Sequence, residues 1–356
     1  MATPSPELSR KFEDFSLRFI GEAEAKRSKS IDSEYVVNAL AYARKLIHSD
    51  LPVIFDRDHF CALVGYSRDF VDGAATSSSV FYRRFSVKKK SGGFRDIHEP
   101  LPSLKYIQRW ILDNIISRIH VSPAAKAFLP GRGIRDSARF HLGRNFVLRM
   151  DIESFFPSIS QRRVFGLFRS LGYSSDVSYL ISRLCCMGGE LPQGSPTSPC
   201  ISNLILRRLD ARLLAFSKKK DLRYTRYADD FTISGDNFSW SLVDFVSHVV
   251  ASEGFKINPS KTRLMRSGSR QVVVGAVVNS HMNSPREFRR ELRKCAYFIE
   301  KHGLDGHLQA IDERRSGVRD YYLGKASFAL HLNSRDRDAI ALRDVVLREC
   351  SDEVRK

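Results

Sequence analysis

The chain has 356 residues, 42% hydrophobic and 11% aromatic, which excludes a disordered protein and allows one large or two to three ordinary domains. Its net charge of +18 and pI near 9.8 point to a polyanionic partner, nucleic acid before membrane. No apolar run reaches spanning length and the N-terminus lacks a signal pattern, so a cytoplasmic protein with no membrane partner is expected.

In chain order, residues 1–33 are polar and open at Ser5-Pro6-Glu7 with an N-cap and an N1 proline, which predicts a loosely attached helical extension. Helices are expected at 34–48 and 57–65. The β-rich run 80–88 meets Lys89-Lys90-Ser91-Gly92-Gly93 and resumes at Phe94-Arg95-Asp96-Ile97, a hairpin with a cationic rim. That rim is either a solvated turn or a triphosphate grip, with Lys89 as a point charge and Arg95 as a bidentate donor. Leu104, Ile107, Ile111, Ile115 and Ile119 form one stripe of a long helix running up to Pro123. Residues 121–146 read as a basic loop, in which His141 is a structural histidine, an RNA contact or a ligand.

An apolar strand at 146–151 delivers Asp151 to its end, and Pro157 stops it from continuing. Two helical stripes cover 161–187 around a Gly-Tyr break. Leu191-Pro192-Gln193-Gly194-Ser195-Pro196 forms an irregular loop, and 201–216 reads as one helix. Tyr227-Ala228-Asp229-Asp230 lies between two alternating runs, a strand–turn–strand pattern that lets two neighbouring acids approach one point. A solvated turn would also carry aspartates; packed acids would call for cations, and Mg²⁺ prefers oxygen ligands. A helix at 239–253, a strand at 255–258, Lys261, an apolar run at 272–278 and basic helices at 284 onward, 308–328 and 336–349 complete the chain. The six cysteines show no zinc spacing and read as reduced thiols.

Asp151, Asp229 and Asp230, with Lys89, Arg95, Phe156 and Gln193 around them, fit two-metal phosphoryl transfer. The stretches Asp151-Ile-Glu-Ser-Phe-Phe156, Leu191-Pro-Gln-Gly-Ser-Pro196 and Tyr227-Ala-Asp-Asp230 resemble motifs A, B and C of reverse transcriptases. Lys88-Lys89-Lys90-Ser-Gly-Gly-Phe-Arg95 resembles their fingers hairpin, and Asn258-Pro-Ser-Lys261-Thr their motif D, all in family order from about residue 80 to at least 280. The resemblance implies an α+β right-hand polymerase fold: an N-terminal helical extension and start of the fingers at 1–79, fingers at 80–145, a palm with an antiparallel sheet at 146–280 (fingers-packing helices at about 161–187), and a helical RNA-binding thumb at 281–356. It implies an RNA-directed DNA polymerase using two Mg²⁺ ions, with Mn²⁺ as a substitute. Asp151 and Asp229 would be the principal metal ligands, the Ile152 carbonyl would assist, and Asp230 would be the third acid. Phe156 would exclude a 2′-hydroxyl; Gln193 would touch the incoming dNTP; Lys89 and Arg95 would hold its phosphates; Lys261 would protonate the leaving pyrophosphate.

Within the family the likeness is to bacterial retron enzymes, carried by Phe165-Gly-Leu-Phe-Arg-Ser-Leu-Gly-Tyr173, Leu184-Cys-Cys186, Tyr224-Thr-Arg-Tyr-Ala-Asp-Asp230 and a compact thumb with no maturase, endonuclease or RNase H segment after it. Two markers depart: Ser137-Ala138-Arg139-Phe140-His141 has Ser for Asn, and Val273-Val274-Gly275 has Val for Thr. The retron likeness implies a cognate structured non-coding RNA as template and partner, its DNA copy as product, priming from a 2′-hydroxyl, and a separate effector protein in anti-phage defence. RNA recognition would fall to Ser137, Ala138, His141, Val273, Val274, Gly275, Arg289, Arg290 and Arg293. The alternatives are another defence-associated or group II intron-like reverse transcriptase and, from a different class, a non-catalytic RNA-binding scaffold that restrains an effector.

Overall fold

A computed structural model describes residues 5–25, 33–89, 92–312 and 316–353. Lys90 and Ser91, at the tip of the expected cationic turn, lie outside the described residues. The chain divides into two compact units, one of residues 1–122 and 153–209, the other of 123–152 and 210–356. Among the described residues no helix is long and apolar enough to cross a membrane.

The first unit begins with helices Pro6–Ala25, Ser33–Ile47, Arg57–Val64 and Arg68–Thr76. The N-terminal helix is not loose: Phe12 meets His48, and Phe15 and Phe19 pack on Phe55. Strands β1 (Tyr82–Lys88) and β2 (Phe94–Pro100) form an antiparallel hairpin with Lys88 opposite Phe94. The helix after it, Pro102–Asn114, ends earlier than its stripe predicts. Ile115 and Ile116, two consecutive β-branched residues, disfavour helix, and the stripe passes into a 3₁₀ turn at Ile116–Arg118. Helices Gln161–Leu171 and Ser175–Cys185 follow, separated by Gly172 at φ 111°. The helix expected over 201–216 is two, Ser198–Ile205 and Arg207–Lys219, and the boundary between units falls just past the break.

The second unit holds a four-stranded antiparallel sheet in the order β4-β5-β3-β6: β3 (Phe146–Asp151), β4 (Arg223–Tyr227), β5 (Asp230–Gly235) and β6 (Arg263–Arg266). The central strand β3 buries Phe146, Val147, Leu148 and Met150, so its sequence is apolar rather than alternating. A helix, Ser241–Ser252, leads from β5 toward β6. No strand forms at 255–258: Ile257 alone bridges Ile152, and Pro259 stops extension into the sheet. The supposed loop 121–146 contains a short helix, Ile134–Phe140. The apolar run 272–278 folds back as β7 (Val272–Val273) and β8 (Ala276–Val277). Helices Arg286–Ala310, kinked at Gly303, Val318–Leu332 and Arg337–Glu353 close over Leu292, Ile299, Tyr322, Ala326, Leu342 and Val346. The second of these starts at Val318, ten residues later than expected.

Candidate active site

Asp151 at the end of β3 and Asp230 at the start of β5 are directly opposed partners. Tyr227 pairs with Asp230 across a two-residue turn, which puts Asp229 at the tip beside them. Such turns need a positive φ, and Ala228 supplies it at 58° without the freedom of glycine. Two bonds hold the turn against that strain. The Ile152 amide donates to the Asp229 carbonyl (3.1 Å), and Arg226 Nη1 donates to the Ala228 carbonyl (3.0 Å).

Arg226 is itself fully buried. Its Nε and Nη2 donate to the two carboxylate oxygens of Asp210 at 2.9 and 2.8 Å, and the Tyr224 hydroxyl donates to Asp210 Oδ1 at 2.7 Å. A rigid planar fork fitted to a carboxylate therefore fixes the remaining guanidinium nitrogen on the acid-bearing turn. Sequence reasoning missed Asp210, although it interrupts the apolar stripe Leu206, Leu209, Leu213 as a single acid, a signal that a buried cation must answer it.

Cations meet the acids from the same face. Arg149, two residues before Asp151 and hence on its side of β3, grips Asp230 through Nε and Nη2. Lys261 Nζ donates to Asp151 Oδ1 at 2.7 Å, and the Asn258 amide donates to the Asp151 carbonyl at 2.7 Å. Arg149, Asp151, Asp230, Lys261 and Arg263 line a cavity of about 160 Å³. Burial, then the charge of Asp151, pushes the Asp229 carboxyl up to about 6. Burial also raises Asp230, against the opposing pull of Arg149.

This donor set suits a hard divalent cation, being oxygen throughout, and a cation would offset the burial and the Asp151 charge that raise the Asp229 carboxyl. Among the described residues no three acids already stand together as a formed metal cage. Asp151 is instead paired with Lys261 and Asp230 with Arg149, so a metal would have to displace or share with these side chains.

The other expected nucleotide contacts lie in the first unit. Lys89 and Arg95 are exposed at the turn end of the hairpin, and the Lys89 amide donates to the Gly93 carbonyl at 2.9 Å. Phe156 is half-buried beside Phe155. The Gln193 carbonyl accepts from the His98 amide at 2.7 Å, which ties the loop to β2. Gly194, at φ 124°, leaves no space for a side chain: a Cβ there would sit 2.6 Å from the His98 carbonyl oxygen.

The expected RNA contacts divide. Ser137, Ala138 and His141 are fully buried and offer no side chain to RNA, which corrects that expectation. His141 Nδ1 lies 2.7 Å from Ser234 Oγ and Nε2 lies 2.7 Å from Thr225 Oγ1, while Ser137 Oγ lies 3.2 Å from the same Thr225 oxygen. The group braces β4 against β5, and burial with nearby Arg223 lowers the His141 pKa to about 3. Val273 is also buried. Val274 and Gly275 form the β7–β8 turn at φ 47° and 84°. Arg290 and Arg293 are exposed, Arg293 being paired with Asp338, and Arg289 is half-buried.

Residues 87–298 match the family described as reverse transcriptase (RNA-dependent DNA polymerase). The chain is 38% identical over 223 residues to the retron Ec86 reverse transcriptase of Escherichia coli, covering 61% of this chain and 70% of that protein. To the retron Mx65 and Mx162 reverse transcriptases of Myxococcus xanthus it is 35% and 37% identical, each over 282 residues. Those alignments cover 74% and 68% of this chain but 64% and 57% of the relatives, so it spans less than two thirds of either. Among solved structures, a telomerase from Candida albicans matches 90% of this chain and 76% of its own at 10% identity and a TM-score of 0.43, too slight a likeness to add to the argument.

Proposed function

Because the chain belongs to the reverse transcriptase family, in its retron branch, we propose that it copies part of a cognate structured RNA into short single-stranded DNA. The observation that supports this reading is strand register, which sets Asp151 opposite Asp230 and leaves Asp229 on the braced turn next to them, each acid still held or flanked by a cation rather than gathered into a formed cage. The first nucleotide joins a 2′-hydroxyl of the RNA itself, giving a branched RNA–DNA product, and the product works with a separate effector in phage defence.

In the reaction a hydroxyl oxygen attacks the α-phosphorus of a dNTP and pyrophosphate leaves. Asp151 and Asp229, with Asp230 and the Ile152 carbonyl, would hold two Mg²⁺ ions, which supply activation of the attacking hydroxyl and neutralisation of the triphosphate. Lys261, released from Asp151, gives its proton to the departing pyrophosphate. Lys89 and Arg95 hold the phosphates, Gln193 contacts the nucleotide, and the Phe156 ring excludes ribonucleotides. Arg149 fixes the Asp230 carboxylate, so that acid positions charge more than it ligates.

The departures at Ser137 and Val274 favour, as a second reading, a defence-associated reverse transcriptase with a different priming chemistry. To separate them, the gene would be expressed with its native flanking DNA and the nucleic acid bound to the purified protein sequenced after RNase treatment. A discrete short DNA, joined to RNA by a debranching-sensitive bond and lost in Asp229→Asn/Asp230→Asn, is the expected result. DNA without the branch selects the second reading, and no DNA under conditions where the system functions leaves the scaffold.

A further inference from the structure

The second unit contains a groove of about 610 Å³ that shares no lining residue with the carboxylate cavity. Its walls are the segment 279–286, which leads from β8 into helix Arg286–Ala310, and residues 332–335 at the end of helix Val318–Leu332. Four arginines line it (Arg270, Arg286, Arg289 and Arg335) and no aspartate or glutamate does. Arg270 is neutralised by Glu287 at 2.6 Å. Among the described residues, Arg286, Arg289 and Arg335 have no ion-pair partner.

Two polar atoms here are buried without a hydrogen-bond partner, the Ser284 hydroxyl, on a residue 1% exposed, and Arg289 Nε. Buried polar atoms are rarely left unpaired unless something outside the chain pairs them. The 25-residue helix Arg286–Ala310 also starts at the groove, and its N-cap, Pro285, makes no side-chain cap bond. Its first amides and dipole thus favour an anion at the same place. Guanidinium groups outside any ion pair, an orphaned hydroxyl and a helix start converge on one space; the nearest carboxylate, Glu287 in the first turn, is held by Arg270 and by its own amide.

We propose that this groove binds a backbone phosphate of an RNA strand, with Ser284, Arg286, Arg289 and Arg335 as the contacts. The inference rests on the RNA-binding part of the function proposed above, and adds a built anion site to it. An opening of this size holds a nucleotide unit rather than a lone oxyanion. The adjoining Asn283 and His281 can reach polar groups of the sugar or base.

The test uses the full chain and RNA transcribed from the DNA flanking the gene, with affinity measured by fluorescence anisotropy from 50 to 300 mM KCl. Arg286 and Arg335 are exposed, so Arg286→Gln/Arg335→Gln should fold normally, as a melting curve checks. The expected result is roughly tenfold weaker binding and a salt dependence shallower by about 0.7–0.9 for each phosphate left without its arginine. Arg10→Gln/Arg18→Gln, which removes the same charge from the N-terminal helix, should leave the slope unchanged. Ser284→Ala, which removes only the orphaned hydroxyl, should weaken binding without altering the slope. Equal slopes for the groove variant and the wild type would overturn the proposal. So would ATP or inorganic phosphate binding at the groove while RNA binding is undisturbed, which would make it a free-nucleotide or phosphate site. Wild-type protein that neither binds this RNA nor extends oligo(dT) on poly(rA) would instead sink the polymerase reading itself.

Discussion

Replacing Asp210 by Asn leaves the Arg226 guanidinium charged, with 0% of its side chain exposed and its two-toothed partner gone. An uncompensated buried charge of this kind costs about 3–5 kcal/mol. With a urea m-value of about 3 kcal/mol/M, the midpoint of the second unit should fall by about 1 M or more. Adding Arg226→Met removes the stranded charge and should bring stability back to within about 1–2 kcal/mol of wild type, since a buried pair is often replaced by apolar packing at little cost. Activity should not return with it. The double variant has no donor for the Ala228 carbonyl, so the turn carrying Asp229 and Asp230 loses one of its two braces. Urea unfolding followed by tryptophan fluorescence, beside primer extension on poly(rA)·oligo(dT), reads both quantities. The reasoning fails if Asp210→Asn costs under about 1 kcal/mol, or if the double variant is as destabilised as the two single losses added together.

Lys261→Ala should lower kcat by roughly 100-fold, with little change in RNA affinity, if it supplies the proton to pyrophosphate; single-turnover extension against filter binding checks the split. Phe156→Ala should admit ribonucleotides, measured as the ratio of rNTP to dNTP incorporation, and an unchanged ratio would remove it from the gate. Chelation with EDTA should abolish extension while RNA binding persists, restored by Mg²⁺ and in part by Mn²⁺. Buried neutral His141, depressed to about 3, binds no proton that the unfolded chain takes up near its ordinary value of about 6.5. Stability from this group is therefore present above about pH 6.5 and falls as pH drops below it, by about 2 kcal/mol at pH 5. His141→Gln should flatten that limb of the pH–stability curve.

The acids are legible in the sequence because alternation and a turn are local: seven residues around Asp229 declare two strands and a bend, and the register then follows. Lys261 is legible only through the company of its motif, since nothing local says that its ammonium reaches Asp151 across 110 positions. Asp210, Arg226 and Tyr224 escape for the same reason, as they are helix and strand residues whose meaning lies in one another. Strand β6 escapes because Arg263-Leu-Met-Arg266 is too short to show a period, and it exists by pairing with β3. The buried histidine misleads because Arg139 and Arg144 nearby in sequence suggest an RNA-facing surface, while both nitrogens of its ring meet hydroxyls inside the unit.

The tie between the Gln193 carbonyl and the His98 amide, with Gly194 pressed against the same strand, makes the loop and the β1–β2 hairpin one mechanical part. Under the roles proposed here, gripping the triphosphate and feeling the nucleotide are then a single displacement. A bulky residue at 194 should show itself first as a weakened hold at Lys89 and Arg95, in a substituent that never touches a phosphate.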